Sequence, residues 1–130
     1  SGLSRGSIRA VNIASRLGEK IRGTIILSGS TGKTHDGTMF DPPIEEANSS
    51  FLMMWHEGDK CSSSESLDGL ESFMGDLTGV KDKKIVQVKG GKGSSGSGRG
   101  AWCHPESHHG FYGIHEKVLE IMKSWILKRI

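Results

Sequence analysis

Two short, continuously apolar runs, "GTIIL" (Gly23 to Leu27) and "SFLMMWH" (Ser50 to His56), constrain this chain more than any other feature. Runs of that length without polar alternation are the signature of strands buried on both faces of a parallel sheet. "KKIVQV" (Lys83 to Val88) reads as a third strand. Between and around them the apolar spacing changes to three and four. Ile8, Val11, Ile13, Ala14 and Leu17 predict an amphipathic helix over Ser7 to Ile21. Leu67, Leu70, Phe73, Met74 and Leu77 predict one over Ser63 to Leu77, and Ile114, Val118, Ile121, Trp125 and Ile126 predict a last one over Ile114 to Ile130. Helices alternating with strands imply an α/β fold, a three-layer sandwich around a parallel sheet.

The totals agree with that class. A chain of 130 residues, 34% hydrophobic and 25% charged, makes at most one domain large enough to bury a core. A net charge of +2, without a Lys/Arg block, gives no reason to expect a nucleic-acid partner. No apolar run reaches the roughly 20 residues that span a bilayer. No signal peptide is visible, yet the sequence opens abruptly at Ser1, which leaves a removed leader open.

Two long loops join the elements. The glycine-serine tract from Gly90 to Gly100 has the composition of a linker. Only one helix follows it, and its apolar face must return to the same core, so the tract is expected to be a functional loop. The other loop begins "TIILSGSTGKT", close to a nucleotide-binding loop, G-x-x-x-x-G-K-[ST]. Counting back from Gly32-Lys33, however, the first glycine falls on Leu27, and the turn-rich "HDGTMFDPP" that follows offers no helix N-terminus to a phosphate. A solvated exit loop is the better reading.

A different constellation fits. "SGLSRGS" contains G-x-S-x-G at Gly2 to Gly6, directly before the first helix. Small residues flanking Ser4 permit the sharp turn that lifts its hydroxyl clear of the backbone, and the helix N-terminus behind it favours developing negative charge. The pattern alone is weak in a chain with 19 glycines, and no strand is apparent before it. The alternative is a helix-capping serine. "MMWHEGDKC" puts Asp59 just past the second apolar run, where a turn or cap residue is the alternative. "SHHGFYGIHEKV" puts His109 before the last helix, with His108 as its rival. Ser4, Asp59 and His109 follow the chain order of an α/β-hydrolase triad, each in a loop at one sheet edge. His56, His104 and His115 show no metal-ligand spacing and read as surface or packing residues; neither a metal nor an organic cofactor is expected.

With the strand ending in "HEGD", then "C…HHGF" and a helix ending in "SWI", nearly the whole chain resembles the C-terminal half of an α/β-hydrolase of the esterase and dienelactone-hydrolase-like branch. The resemblance implies a serine hydrolase of small-molecule carboxylic esters, with about three strands of the family's sheet. Ser4 would be the nucleophile, His109 the base and Asp59 its orienting acid, with the Arg5 backbone N–H one oxyanion donor. His109 is favoured over His108 by the Gly-Phe that follows it. Peptides, thioesters and lactones stay open as substrates. The family's earlier strands and second oxyanion loop are not in this sequence, so the expectation is a fragment of a longer enzyme, or a chain whose exposed sheet edge a second chain covers. A catalytically inactive remnant is the alternative.

Three further expectations concern single side chains. The Arg5 side chain could meet an anionic substrate group, although a solvent-facing position fits a first-turn arginine better. Trp55 and Trp102 could line a pocket, although Trp55, inside a strand, reads better as core, as does Trp125. Cys61 lies two residues after Asp59 and Cys103 six before His109. If their loops leave neighbouring strands, a disulfide could clamp acid to histidine, implying a periplasmic or secreted protein; two free thiols are the alternative.

Overall fold

The computed structural model describes residues 1–32, 34–64, 66–93 and 98–130. Lys33 of the rejected phosphate loop and Ser94 to Ser97 of the glycine-serine tract therefore lie outside the described residues. The chain is α/β. Four parallel strands, β1 (Gly2–Leu3), β2 (Gly23–Leu27), β3 (Ser50–His56) and β4 (Lys83–Val88), lie side by side in chain order. Helices α1 (Gly6–Leu17), α2 (Leu67–Asp76) and α3 (His115–Leu127) cover the sheet.

The side-chain alternation of β3 explains its unbroken apolar run. Phe51, Met53 and Trp55 join Ile26 on one face, where they meet Val11 and Ala14 of α1 and Leu70 and Phe73 of α2. Leu52 and Met54 join Ile25 and Val88 on the other face, against Val118 and Trp125 of α3. Helices cover both faces, so the run from Phe51 to Trp55 needs no polar alternation. The β2–β3 connection contributes Met39, Ile44 and Ala47 to the first face, which makes it part of the core rather than a solvated excursion. At its start, Thr34 and Gly37 exchange backbone hydrogen bonds in a tight turn, and the described residues from Thr34 to Phe40 form no helix.

Several boundaries differ from expectation. The sheet has four strands, not three: a short strand does precede Ser4, and its two residues pair with Ile26 and Leu27 of β2. The first helix stops at Leu17 because Gly18 takes a left-handed φ of +51°, and one turn of 3-10 helix, Gly18–Lys20, carries the chain onward. The second helix starts at Leu67, with Ser66 as its cap accepting from the Gly69 N–H at 3.3 Å. Its C-terminus is closed by Lys83, whose ammonium donates to the carbonyls of Met74 and Leu77 at 2.7 and 2.9 Å. Ile13, Leu17 and Ile126, expected in the core, are 52%, 43% and 42% exposed. The buried stripe of α1 runs instead through Ser7, Val11, Ala14 and Ser15. No helix among the described residues is long and apolar enough to cross a membrane.

Candidate functional site

Ser4 stands between β1 and α1 with a left-handed φ of +51°, a conformation that costs a non-glycine residue energy and must be imposed by its surroundings. Those surroundings are specific. The Ser4 N–H extends the β1–β2 ladder by donating to the Leu27 carbonyl at 2.9 Å. Two residues later the chain is already helical, so Gly2 and Gly6 are pressed together: a Cβ on Gly2 would sit 2.3 Å from the Gly6 carbonyl oxygen. A Cβ on Gly6, by contrast, would meet nothing within 4 Å. Only the first glycine of G-x-S-x-G is sterically required. The cap position of α1 is Arg5, without a side-chain capping bond, so the helix-cap alternative for Ser4 finds no support. The Arg5 side chain is solvent-facing and pairs with Asp36 at 2.9 Å.

Asp59 and His109 meet directly. Asp59 follows β3 in a turn closed by its own N–H on the His56 carbonyl, 3.0 Å away. Its Oδ1 accepts from the Cys61 N–H at 2.9 Å, and its Oδ2 lies 2.9 Å from His109 Nδ1 and accepts from the Ser64 hydroxyl at 2.9 Å. His109 sits in a 3-10 turn, His108–Gly110, whose preceding Ser107 hydroxyl accepts from the His109 N–H at 3.2 Å. The Ser28 hydroxyl donates to the His109 carbonyl at 2.7 Å, tying the turn to the end of β2. Residues Asp59 and His109 are each 3% exposed. Because the carboxylate accepts at both oxygens, the proton between it and the ring belongs to Nδ1, which leaves Nε2 a bare lone pair. Nε2 is buried and has no hydrogen-bond partner among the described residues, Ser4 included.

His108 points elsewhere. Successive residues of a tight turn diverge, and its ring stacks on His56 with centroids 4.1 Å apart. Burial, reinforced by His56, lowers its pKa from the ordinary 6.5. His56 itself is a packing residue, accepting from the Gly58 N–H at 2.9 Å through Nδ1 and reaching the Gly90 carbonyl at 2.8 Å through Nε2. Among the described residues, the His104 and His115 rings make local hydrogen bonds to backbone, at Glu106 and Gly110.

The acid and histidine loops are clamped at more than one point. Cys61 and Cys103 form a disulfide, with Cα atoms 4.7 Å apart. Beside it the Lys60 ammonium lies 4.9 Å from the Trp102 ring centroid. An open cavity of about 360 Å³ is lined by Leu3, Ser4, Arg5, Gly6, Cys103, Pro105, His109 and Gly110. Ser4 and His109 therefore share one cleft, with Asp59 behind the imidazole. Trp102 does not line it, while Trp55 and Trp125 are core, at 7% and 8% exposed.

Two partners in this site carry no sequence signal. Ser64 is one of four serines in "CSSSES", and nothing local marks it. The Arg5–Asp36 pair joins residues 31 positions apart. No protein-family model, curated protein or solved structure matches the chain.

Proposed function

We propose that this chain carries the triad of a serine hydrolase that cleaves small carboxylic esters, as the resemblance to the C-terminal half of an α/β-hydrolase implies. One observation carries the reading: a serine held at a strained left-handed φ shares a cleft with a histidine whose Nδ1 is bound to a buried carboxylate and whose Nε2 is unpartnered. Ser4 Oγ attacks the ester carbonyl carbon as His109 Nε2 takes its proton. The tetrahedral intermediate expels the alcohol, which leaves with that proton, and an acyl-enzyme results. Water then attacks the acyl carbon, giving its proton to Nε2. Collapse frees the carboxylic acid as Ser4 regains a proton. Asp59 keeps the proton on Nδ1 and stabilises the imidazolium. The Arg5 N–H, at the start of α1, would serve as one oxyanion donor. The sheet edge beside β1, where Leu3 is 45% exposed, suits a further strand from another chain or segment that would bring the second donor. The disulfide fits an oxidising compartment, periplasmic or extracellular.

The alternative, an inactive remnant of such an enzyme, draws on the same open geometry, since Ser4 makes no hydrogen bond to Nε2. Catalytic hydrogen bonds are often long before substrate binds. A fluorophosphonate probe separates the two readings. The hydrolase reading expects covalent labelling at Ser4, absent in Ser4→Ala and slowed at least 100-fold, by order of magnitude, in His109→Ala. An unlabelled wild-type chain supports the remnant, and label found on another residue overturns the assignment of Ser4.

A further inference from the structure

Ser64 lies outside the three residues to which the resemblance assigns chemistry, yet it completes a triangle with two of them. Its Oγ is 2.9 Å from Asp59 Oδ2 and 3.0 Å from His109 Nδ1, and those two atoms are themselves 2.9 Å apart. The residue is 2% exposed, and its backbone is fixed on both sides. Its N–H donates to the Cys61 carbonyl at 2.9 Å, and its carbonyl accepts from the Trp55 indole N–H at 2.9 Å. The hydroxyl is thus delivered to the triangle by the disulfide-bonded turn on one side and by β3 on the other.

We propose that Ser64 is a positioning residue that holds His109 in the tautomer with its proton on Nδ1, an inference that rests on reading His109 as the base of the hydrolase. Proton counting within the triangle supports it. With hydrogen on Nδ1, the Ser64 hydroxyl donates to Oδ2, and the Nδ1–H is shared between Oδ2 and the Ser64 oxygen. Each of the three contacts then has a proton facing an acceptor. With hydrogen on Nε2 instead, the Nδ1 lone pair faces the Oδ2 lone pairs, and the single hydroxyl proton cannot serve both. A buried acceptor left without a donor is costly, so Ser64 and Asp59 together exclude that tautomer. The hydroxyl also gives the ring a second anchor against rotation about its Cβ–Cγ bond. Ser64 does not line the cleft, so it acts through His109 and not on substrate.

Two variants test this in the full chain. Ser64→Ala removes the hydroxyl, whereas Ser64→Cys fills nearly the same space with a poor donor. Both are expected to lower kcat for a p-nitrophenyl ester roughly tenfold, the worth of one hydrogen bond to a charged group, with KM within about twofold. A packing role would instead let Ser64→Cys recover the wild-type kcat. The second readout needs no turnover. In ¹⁵N-labelled protein the His109 Nδ1–H should give a downfield, slowly exchanging proton resonance that moves upfield and exchanges faster in both variants. Wild-type kcat in either variant, or an unmoved resonance in both, overturns the inference. If the wild-type chain neither turns over ester nor takes the probe, while the resonance moves in both Ser64 variants, the positioning contact stands and the hydrolase reading falls.

Discussion

The turn at Ser4 shows how one missing side chain can permit a site. Gly2 and Gly6 look equivalent in G-x-S-x-G, but the elbow folds so tightly that a Cβ on Gly2 alone would meet backbone, 2.3 Å from a carbonyl oxygen that cannot move without unwinding α1. Gly2→Ala should therefore lower the melting temperature and abolish probe labelling at Ser4, because the turn must open to admit the methyl. Gly6→Ala meets open space at a helical position, where alanine is favoured over glycine by about 0.5–1 kcal/mol. It should raise the melting temperature or leave it unchanged. Thermal unfolding of the two variants side by side checks the asymmetry; equal destabilisation would contradict it. The sequence singles out Ser4, Asp59 and His109 because each stands in a recognisable local phrase; the structure adds that Asp59 bonds His109 and that Ser4 shares a cleft with it. Choosing His109 over His108 structurally required the 3-10 turn, which sends one ring to Asp59 and the other onto His56.

Among the elements, the loops after β3 and β4 are what the site depends on. The Cys61–Cys103 disulfide joins them covalently, beside the hydrogen bonds from Asp59 and Ser64 to the His109 ring. It closes a loop of 42 residues, for which the chain-entropy relation gives about 4 kcal/mol of stabilisation. Reduction under native conditions, or the double Cys61→Ser, Cys103→Ser variant, should cost stability of that order. It should also slow Ser4 labelling, because the Cys61 N–H that fixes Asp59 Oδ1 belongs to the same turn. Denaturant unfolding with and without a reductant measures the first effect, and the labelling rate measures the second. A chain equally stable when reduced would remove the clamp from the mechanism. Both cysteines were placed from sequence because they flank the motif residues. The Lys60–Trp102 contact beside them has no such marker and emerged only from the approach of the two loops.

Across the whole molecule, Arg129 ties the C-terminus back to the sheet, and Arg22 donates to the Arg129 carbonyl at 3.1 Å. Arg129 stacks on the Trp125 ring with its guanidinium 3.8 Å from the centroid and reaches Asp82, the residue before β4, through Nε at 3.0 Å. The Arg129 hydrogen bond, followed by one from Ser50, lowers the Asp82 pKa below 3.8. A carboxyl whose folded pKa is depressed contributes stability that is fully present above its unfolded value and lost as pH falls through its folded value. Wild type should therefore melt above Asp82→Asn at pH 7, the gap should hold down to about 3.8, and it should close below that. Asp82 is half exposed, so the gap is worth less than about 1 kcal/mol and should shrink in high salt. Melting curves from pH 7 to pH 2 at two ionic strengths test both trends, and a gap that widens on acidification would refute the assignment.

The sequence by itself determined the layered class, because burial on both faces writes an unbroken apolar run into β2 and β3, and a covering helix writes its own period into α1, α2 and α3. It also determined which loops carry an alcohol, a carboxylate, an imidazole and two thiols. Only the tertiary structure decided the rest. A two-residue strand has no period to detect, so β1 exists through its pairing with β2. Ile13 and Leu17 satisfy helical spacing, yet the sheet lies under Val11 and Ala14. Ser64 differs from its serine neighbours solely in what the β3 end and the His109 turn bring within 3.0 Å of it. Local patterns record the environment on each side of an element, whereas pairing, register and convergence are relations between distant segments, and they exist only once the chain has closed on itself.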